Sequence, residues 1–312
     1  MKNSTIELID KIGKDLQSGA CELSLKAINV FGQILSDSEN NDVNDARNQL
    51  SQAAKLLIKS QPGMAPIFNL SNEILNSTAL AKNINELKSI GETTLTQFEN
   101  DLCRNAQSIA EHTASFIPTG ELIFAYSFSS TVITALLNAR SKGKYFRVAS
   151  TEARPSFEGR KLAKALSDGD IEVMHTFDLA LGLVLPNCSV AFMGADCVGL
   201  PGVVNKVGSW LLAIACREYS IPLYVLCDTA KFVSEERLFE FEKHVRPVSE
   251  LWPEYKEFNN NLKILNHQYE LVSLNLITGF ITENGLIQSN DLKNHIPTKN
   301  INEAIQLEEA FL

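Results

Sequence analysis

The feature that most constrains this chain is a series of short apolar runs in its second half. From about residue 120 the runs "ELIFAYSF", "YFRVAST", "IEVMHTF", "VAFMGAD", "PLYVLCD" and "LITGFITENG" recur, separated by stretches of helical character. Runs this continuous leave no polar face. They suit strands covered by helices on both sides, as in a parallel sheet. Intervening helices are expected at Ser129–Arg140, Gly159–Ser167, Asp178–Leu185 and Lys206–Tyr219. Repeated β-α alternation predicts an α/β fold with a doubly wound, mostly parallel sheet and right-handed crossovers.

Up to about residue 117 the periodicity is helical instead. "CELSLKAINVFGQIL" gathers Leu23, Leu25, Ile28, Phe31 and Leu35 on one broad side, and the segments at residues 43–60 and 80–112 behave alike. Breaks are expected at "SGA" (18–20), "SDSENND" (36–42) and "QPGMAP" (61–66). Two domains follow, a helical one over 1–117 and an α/β one over 118–312, in keeping with a length of 312 residues.

A formal charge of −9 argues against nucleic acid or an anionic membrane as the main partner, since both select basic surfaces. No apolar run reaches membrane-spanning length, and the charged, amphipathic N-terminus does not read as a signal peptide. Six scattered cysteines without a C-x-x-C pair read as reduced core residues of a cytoplasmic protein. No phosphate-cradling glycine motif follows a strand, and no His or Cys cluster has metal-ligand spacing. No cofactor and no metal are expected.

The strand ends carry more information than the strands. Read toward their C-termini, the six runs end in Ser127 and Ser129, Thr151 and Glu152, His175 and Thr176, Asp196, Asp228 with Lys231, and Thr282 with Glu283. Open α/β sheets bind ligands outside the carboxyl ends of their strands. Any one polar residue there is explained by a strand leaving into solvent, but six in succession point to a site.

Two longer blocks sharpen this. "FMGADCVGLPGVVNKVGSWLLAIACREYSIPLYVLCDTAKF" and "TEARPSFEGRKLAKAL" resemble the patterns of the translation initiation factor 2B alpha/beta/delta family, which includes ribose-1,5-bisphosphate isomerase and methylthioribose-1-phosphate isomerase. "SGACELSLKAI", "QPGMAPIFNL" and "LNHQYELVSLNLITGFITENGLI" fit as well. The resemblance spans nearly the whole chain. It implies a helical domain on a Rossmann-like domain, with dimeric assembly through apolar surface around "LVSLNLITGFI".

For the site, the resemblance implies that Asp196 moves protons at sugar carbons while Asn205 and Lys206 hold substrate oxygens. Gly19, Ala20, Ser129 and Lys231 complete the substrate contacts, and Arg154 supplies a fork for phosphate or carboxylate. Moving a carbonyl between adjacent carbons needs an acid/base beside an oxyanion stabiliser. A carboxylate at the mouth of an apolar strand is partly desolvated, which raises its pKa toward a useful value. The alternatives are a loop cap for Asp196 and a solvated surface residue for Lys206.

The departures are equally specific. Ser127 stands where the isomerases carry a catalytic cysteine, and a hydroxyl is a far weaker acid than a thiol of pKa about 8.5. Ser18 and Gln61 stand where the resemblance predicts arginines, and Glu270 where it predicts aspartate. Two functions remain open. One is a sugar-phosphate isomerase-like protein with Asp196 as acid/base and Ser127 as a substrate hydrogen-bonder. The other is a non-catalytic initiation-factor-2B-like subunit or metabolite sensor acting through protein surfaces. The expected partners are a small phosphorylated metabolite and a second copy of the chain.

Overall fold

The structure is a computed structural model and describes residues 1–15, 18–37, 42–234, 246–255, 261–298 and 300–306. Five helices open the chain: α1 (Asn3–Gly13), α2 (Ala20–Asp37), α3 (Val43–Ser60), α4 (Ala65–Thr78) and α5 (Ile84–Thr113). Their starts are written in the sequence. Asp42 accepts the Asn44 N–H at the head of α3, and Asn83 accepts the Glu86 N–H at the head of α5. Pro66 sits in the first turn of α4, where its missing N–H is harmless. The helices close on one core that includes Leu23, Phe31, Ile34, Leu50, Leu57 and Ile67. Each such side chain contributes roughly 1.5–3 kcal/mol on leaving water.

The α/β part runs β1 (Leu122–Tyr126), α6 (Ser130–Ser141), β2 (Arg147–Thr151), α7 (Glu158–Asp168), β3 (Glu172–Thr176), α8 (Leu181–Val184), β4 (Cys188–Met193), β5 (Cys197–Gly199), β6 (Gly202–Lys206), α9 (Ser209–Glu218), β7 (Leu223–Leu226), α10 (Val248–Leu251), β8 (Tyr269–Val272), β9 (Gly279–Thr282) and β10 (Gly285–Gln288). The main sheet has seven strands in the order β10-β9-β7-β4-β1-β2-β3, parallel throughout except for the hairpin edge β9–β10. All six predicted apolar runs form its strands. Apolar clusters cover both faces, one built with Phe124, Met193, Leu212 and Phe280, the other with Ile123, Phe192, Leu136 and Leu162. Helix α5 serves two cores: Leu87 and Leu95 lie among the helices, while Ile109 and Ala110 lie against the sheet.

Three local expectations need correction. The predicted helix Asp178–Leu185 is broken into α8, four residues long, between two 3₁₀ turns. The predicted helix Lys206–Tyr219 begins only at Ser209, because the residues before it are strand β6. Strands β5, β6 and β8 form a second, antiparallel sheet, with β5 and β6 joined by a tight hairpin at Leu200–Pro201. The hairpin depends on Gly202, whose φ is 146° and whose added Cβ would lie 2.4 Å from the Val272 carbonyl oxygen. Finally, the segment around "LVSLNLITGFI" is largely covered within the chain, with Val272, Leu276, Ile277 and Phe280 buried. Exposed large apolar side chains lie elsewhere, among them Trp210 and Leu211 on α9 and Tyr219 just beyond its end.

Four cysteines (Cys188, Cys197, Cys216 and Cys227) are buried free thiols, whereas Cys21 is half-buried and Cys103 exposed. No described helix is long and apolar enough to cross a membrane.

Candidate functional site

Strand order reverses direction beside β1. Strands β2 and β3 lie on one side of it, and β4, β7 and β9 on the other. The crevice outside the carboxyl ends of β1 and β4 is therefore the topological switch point, where doubly wound sheets place ligands. A solvent-open cleft lies there. Ser127–Ser130 follow β1 and Gly194–Asp196 follow β4 along its wall. Asn205 and Lys206 come from the end of β6, Glu158 from the start of α7, and Lys231 from the segment after β7. The helical region closes the cleft with Ser18, Gly19, Ala20 and Cys21 at the start of α2.

The β5–β6 hairpin explains why Asp196 and Asn205–Lys206 flank a short glycine-rich stretch. The Asp196 N–H donates to the Val204 carbonyl at 2.9 Å, so the two ends of the hairpin lie side by side. Ala65 of α4 donates its N–H to the Asp196 carbonyl at 3.1 Å, fixing the same backbone to the helical region. Among the described residues the Asp196 carboxylate accepts no hydrogen bond. Burial pushes its pKa up to about 6, opposed by Lys231, reinforced by Glu158 and opposed again by Lys206.

Lys231 is 6% exposed, and among the described residues its ammonium has no hydrogen-bond or ion-pair partner. Lys206 is equally buried but engaged: its Nζ donates to Ser156 at 2.5 Å and lies 3.4 Å from Glu158 Oε1. Glu158 also accepts the hydroxyl protons of Ser156, at 2.9 Å on Oε1, and of Ser127, at 2.8 Å on Oε2. Asn205 donates its amide to Ser209 at 2.9 Å, and Ser209 donates to the Lys206 carbonyl at 2.6 Å, which clamps the β6–α9 turn. Glu270 accepts the N–H groups of Gly208 at 2.7 Å and Trp210 at 2.6 Å, a carboxylate cap on α9.

Of the nine residues singled out for the site, eight line this cleft: Gly19, Ala20, Ser127, Ser129, Asp196, Asn205, Lys206 and Lys231. Arg154 does not. Its guanidinium is exposed, 5.0 Å from the Phe157 ring centroid, and Arg160 stacks over the same ring at 3.8 Å. The turn carrying Arg154 is held by Asp178, which accepts the Ala153 and Arg154 N–H groups at 2.8 and 2.9 Å. His175 bonds Ser150 at 2.9 Å, away from the cleft lining.

Gln61, where arginine was expected, spends its amide on the α1 end, donating to Ile12 O at 2.6 Å and Asp15 O at 3.2 Å. Ser18 lines the cleft but gives its hydroxyl proton to Asp15 at 2.7 Å. Glu158 escaped the sequence reading altogether. A single glutamate in a first helical turn looks like an ordinary dipole complement, and no local signal reveals its three partners. Cys21 also escaped it. Its thiol pKa is raised by burial, with Lys231 opposing. Among the described residues no cluster of acidic, His or Cys side chains could hold a metal ion.

A model of the initiation factor 2 subunit family matches residues 16–289. A translation initiation factor eIF-2B subunit 2-like protein of Pyrococcus furiosus is 30% identical over 92% of this chain and 97% of its own. A ribose 1,5-bisphosphate isomerase of Thermococcus kodakarensis is 25% identical, with 90% of each chain covered. Among solved structures, the translation initiation factor eIF-2B of Pyrococcus horikoshii superposes with a TM-score of 0.77 at 27% identity, covering 97% of this chain and 100% of that one.

Proposed function

Because the chain belongs to the initiation factor 2 subunit family, whose relatives here include sugar-phosphate isomerases, we propose that its cleft binds a small phosphorylated sugar and isomerises it from aldose to ketose. One observation carries the reading: Asp196 and Lys231 face one cleft, and among the described residues neither charged group makes a hydrogen bond or ion pair. An ammonium that reaches an open cleft without a protein partner is available to an anion. The α2 N-terminus beside it offers amide donors with no intrahelical acceptor, which suit a phosphate.

Asp196 is the proton carrier. With a pKa of about 6 it is mostly ionised at neutral pH yet more basic than an ordinary aspartate. It takes the proton from the carbon bearing the hydroxyl and returns it to the neighbouring carbonyl carbon, while the hydroxyl proton passes to the former carbonyl oxygen. Negative charge develops on oxygen in between. Lys206, anchored by Ser156 and Glu158, supplies a preorganised cation for that oxygen. Ser129 caps α6 by accepting the Val132 N–H, so its role is to hold the α6 N-terminus against the cleft.

A specific observation favours a second reading. The Ser127 hydroxyl is given to Glu158, so no titrating acid stands there. The non-catalytic subunit reading keeps the same pocket as a metabolite sensor. A thermal-shift series with sugar phosphates, followed by NMR of the bound sugar, separates the two. A ligand at a hundredfold excess over Kd stabilises by about 2.7 kcal/mol. Stabilisation with aldose-to-ketose conversion supports the enzyme; stabilisation without conversion supports the sensor; no stabilisation by any sugar phosphate removes the proposal.

A further inference from the structure

Four charged side chains line the cleft among the described residues: Glu158, Asp196, Lys206 and Lys231. They do not act alike. Glu158 and Lys206 neutralise each other across 3.4 Å with side chains only 15% and 5% exposed. Glu158 also fixes the direction of two hydroxyls, taking the protons of Ser127 and Ser156. A hydroxyl whose proton is spent presents only lone pairs. The wall formed by Ser127 and Glu158 therefore accepts hydrogen bonds, and the cation beside it is already spent on Glu158. It suits the hydroxyls of a sugar and offers a phosphate no spare donor or cation. The opposite character belongs to Lys231 and the first residues of α2, where a cation with no hydrogen-bond or ion-pair partner among the described residues lies beside the start of a helix. The cleft has one anion-seeking end and one hydroxyl-seeking wall.

We infer that the cleft accepts a sugar carrying a single phosphate, and that Glu158 is the specificity-determining residue that excludes a second. The inference rests on the sugar-phosphate reading proposed above. It assigns the phosphate to Lys231 and the α2 N-terminus, and the sugar hydroxyls to Asp196, Ser127 and Glu158. A bisphosphate brings a second group of up to two negative charges against a carboxylate whose own compensating cation is already engaged. Replacing Glu158 by glutamine keeps the shape, releases Lys206 from its ion pair and adds two N–H donors, so that the wall gains groups that can hold a phosphate.

Calorimetric titration of the full chain tests this with ribose 5-phosphate, ribose 1,5-bisphosphate and inorganic phosphate, on the wild type and on Glu158→Gln. The wild type is expected to bind the monophosphate at least tenfold more tightly than the bisphosphate, and Glu158→Gln to narrow that ratio at least fivefold. Equal or tighter binding of the bisphosphate by the wild type overturns the inference while leaving the sugar-phosphate site intact. An unchanged ratio in a folded Glu158→Gln protein overturns the role of Glu158. Binding of neither sugar phosphate at millimolar concentration overturns the reading on which the inference stands. Should Glu158→Gln not fold, Glu158→Ala carries the same comparison, and the wild-type ratio decides the ligand class without either variant.

Discussion

Ser127 gives its hydroxyl proton to Glu158 at 2.8 Å from a backbone held at φ 59°, in the left-handed region. Two opposing effects meet at one residue. The bond to a carboxylate is worth roughly 1.5–3 kcal/mol, while a side chain at positive φ costs about 1–2 kcal/mol that glycine avoids. Ser127→Ala loses the bond and keeps the strain. Ser127→Gly loses the bond and relieves the strain. Urea unfolding is expected to show Ser127→Ala destabilised by roughly 1–3 kcal/mol and Ser127→Gly less so, by about 1 kcal/mol. A glycine variant less stable than the alanine variant contradicts this geometry.

Asp196 sets a second prediction, with its sign fixed by the raised pKa. The folded chain holds the Asp196 proton more tightly than the unfolded chain does, whose carboxyl titrates near the ordinary value of about 3.9. The stability this confers is fully present below about pH 4 and lost as pH rises through about 6, leaving a penalty of roughly 2–3 kcal/mol at pH 7. Asparagine cannot ionise. Asp196→Asn should therefore be more stable than wild type at pH 7 and nearly equal to it at pH 4, with turnover abolished. In wild type, kcat/KM should fall as pH drops below about 6. Thermal melts at both pH values and a pH-rate profile check the two halves separately.

How far the sequence reveals this molecule depends on where each signal resides. The seven-stranded sheet was legible because its inner strands are short apolar runs, a pattern that burial on both faces imposes, while the exposed edge strand β3 carries that pattern only in part. The β5–β6–β8 sheet was not. Its strands are three to five residues long, and a hairpin turned by Leu200–Pro201 between Gly199 and Gly202 looks like an irregular loop. Placing Lys206 in a helix followed from that misreading. Asp196, Asn205 and Lys206 were found through their motif, whereas the same logic put Arg154 in the site although its side chain is exposed outside the cleft lining. Lys231 was visible as a strand-end residue, but its lack of a partner is a property of the packed structure alone. So is the convergence of Ser127, Ser156 and Lys206 on Glu158.

Gly159 tests whether the position of Glu158 depends on close contact between α7 and β2. A Cβ on Gly159 would lie 1.7 Å from the Thr151 carbonyl oxygen, which is backbone and cannot swing aside. Gly159→Ala must displace the first turn of α7, and with it the carboxylate that holds Lys206, Ser127 and Ser156. A loss of at least about 1–3 kcal/mol in stability is expected, together with weaker sugar-phosphate binding. A Gly159→Ala protein with wild-type stability would show that α7 is free to shift.

Assembly gives a prediction independent of the cleft. Trp210 and Leu211 on α9 are 48% and 44% exposed, with Tyr219 just beyond its end. Exposed large apolar side chains on one helix make it a candidate contact surface. We expect a homodimer burying more than about 1,600 Å² in total. Light scattering should report twice the chain mass at micromolar concentration, and Leu211→Glu should shift the mass toward the monomer. A stable wild-type monomer removes this expectation.

Lys231 offers the most direct separation of binding from folding. Its ammonium is sheltered, and no described residue pairs with it, so the ligand-free fold gains little from its charge. Methionine has a similar length and needs no partner. Lys231→Met should leave the ligand-free protein at least as stable as wild type while weakening ribose 5-phosphate binding at least tenfold. The same change removes a cation that holds the Asp196 pKa down, so any residual turnover should show its acidic limb shifted to higher pH. A structural lysine behaves differently: its replacement lowers the melting temperature without ligand and leaves relative affinities for sugar phosphates unchanged. Melting curves with and without ribose 5-phosphate distinguish these outcomes, because only a ligand-binding Lys231 predicts that the protection, rather than the baseline, disappears.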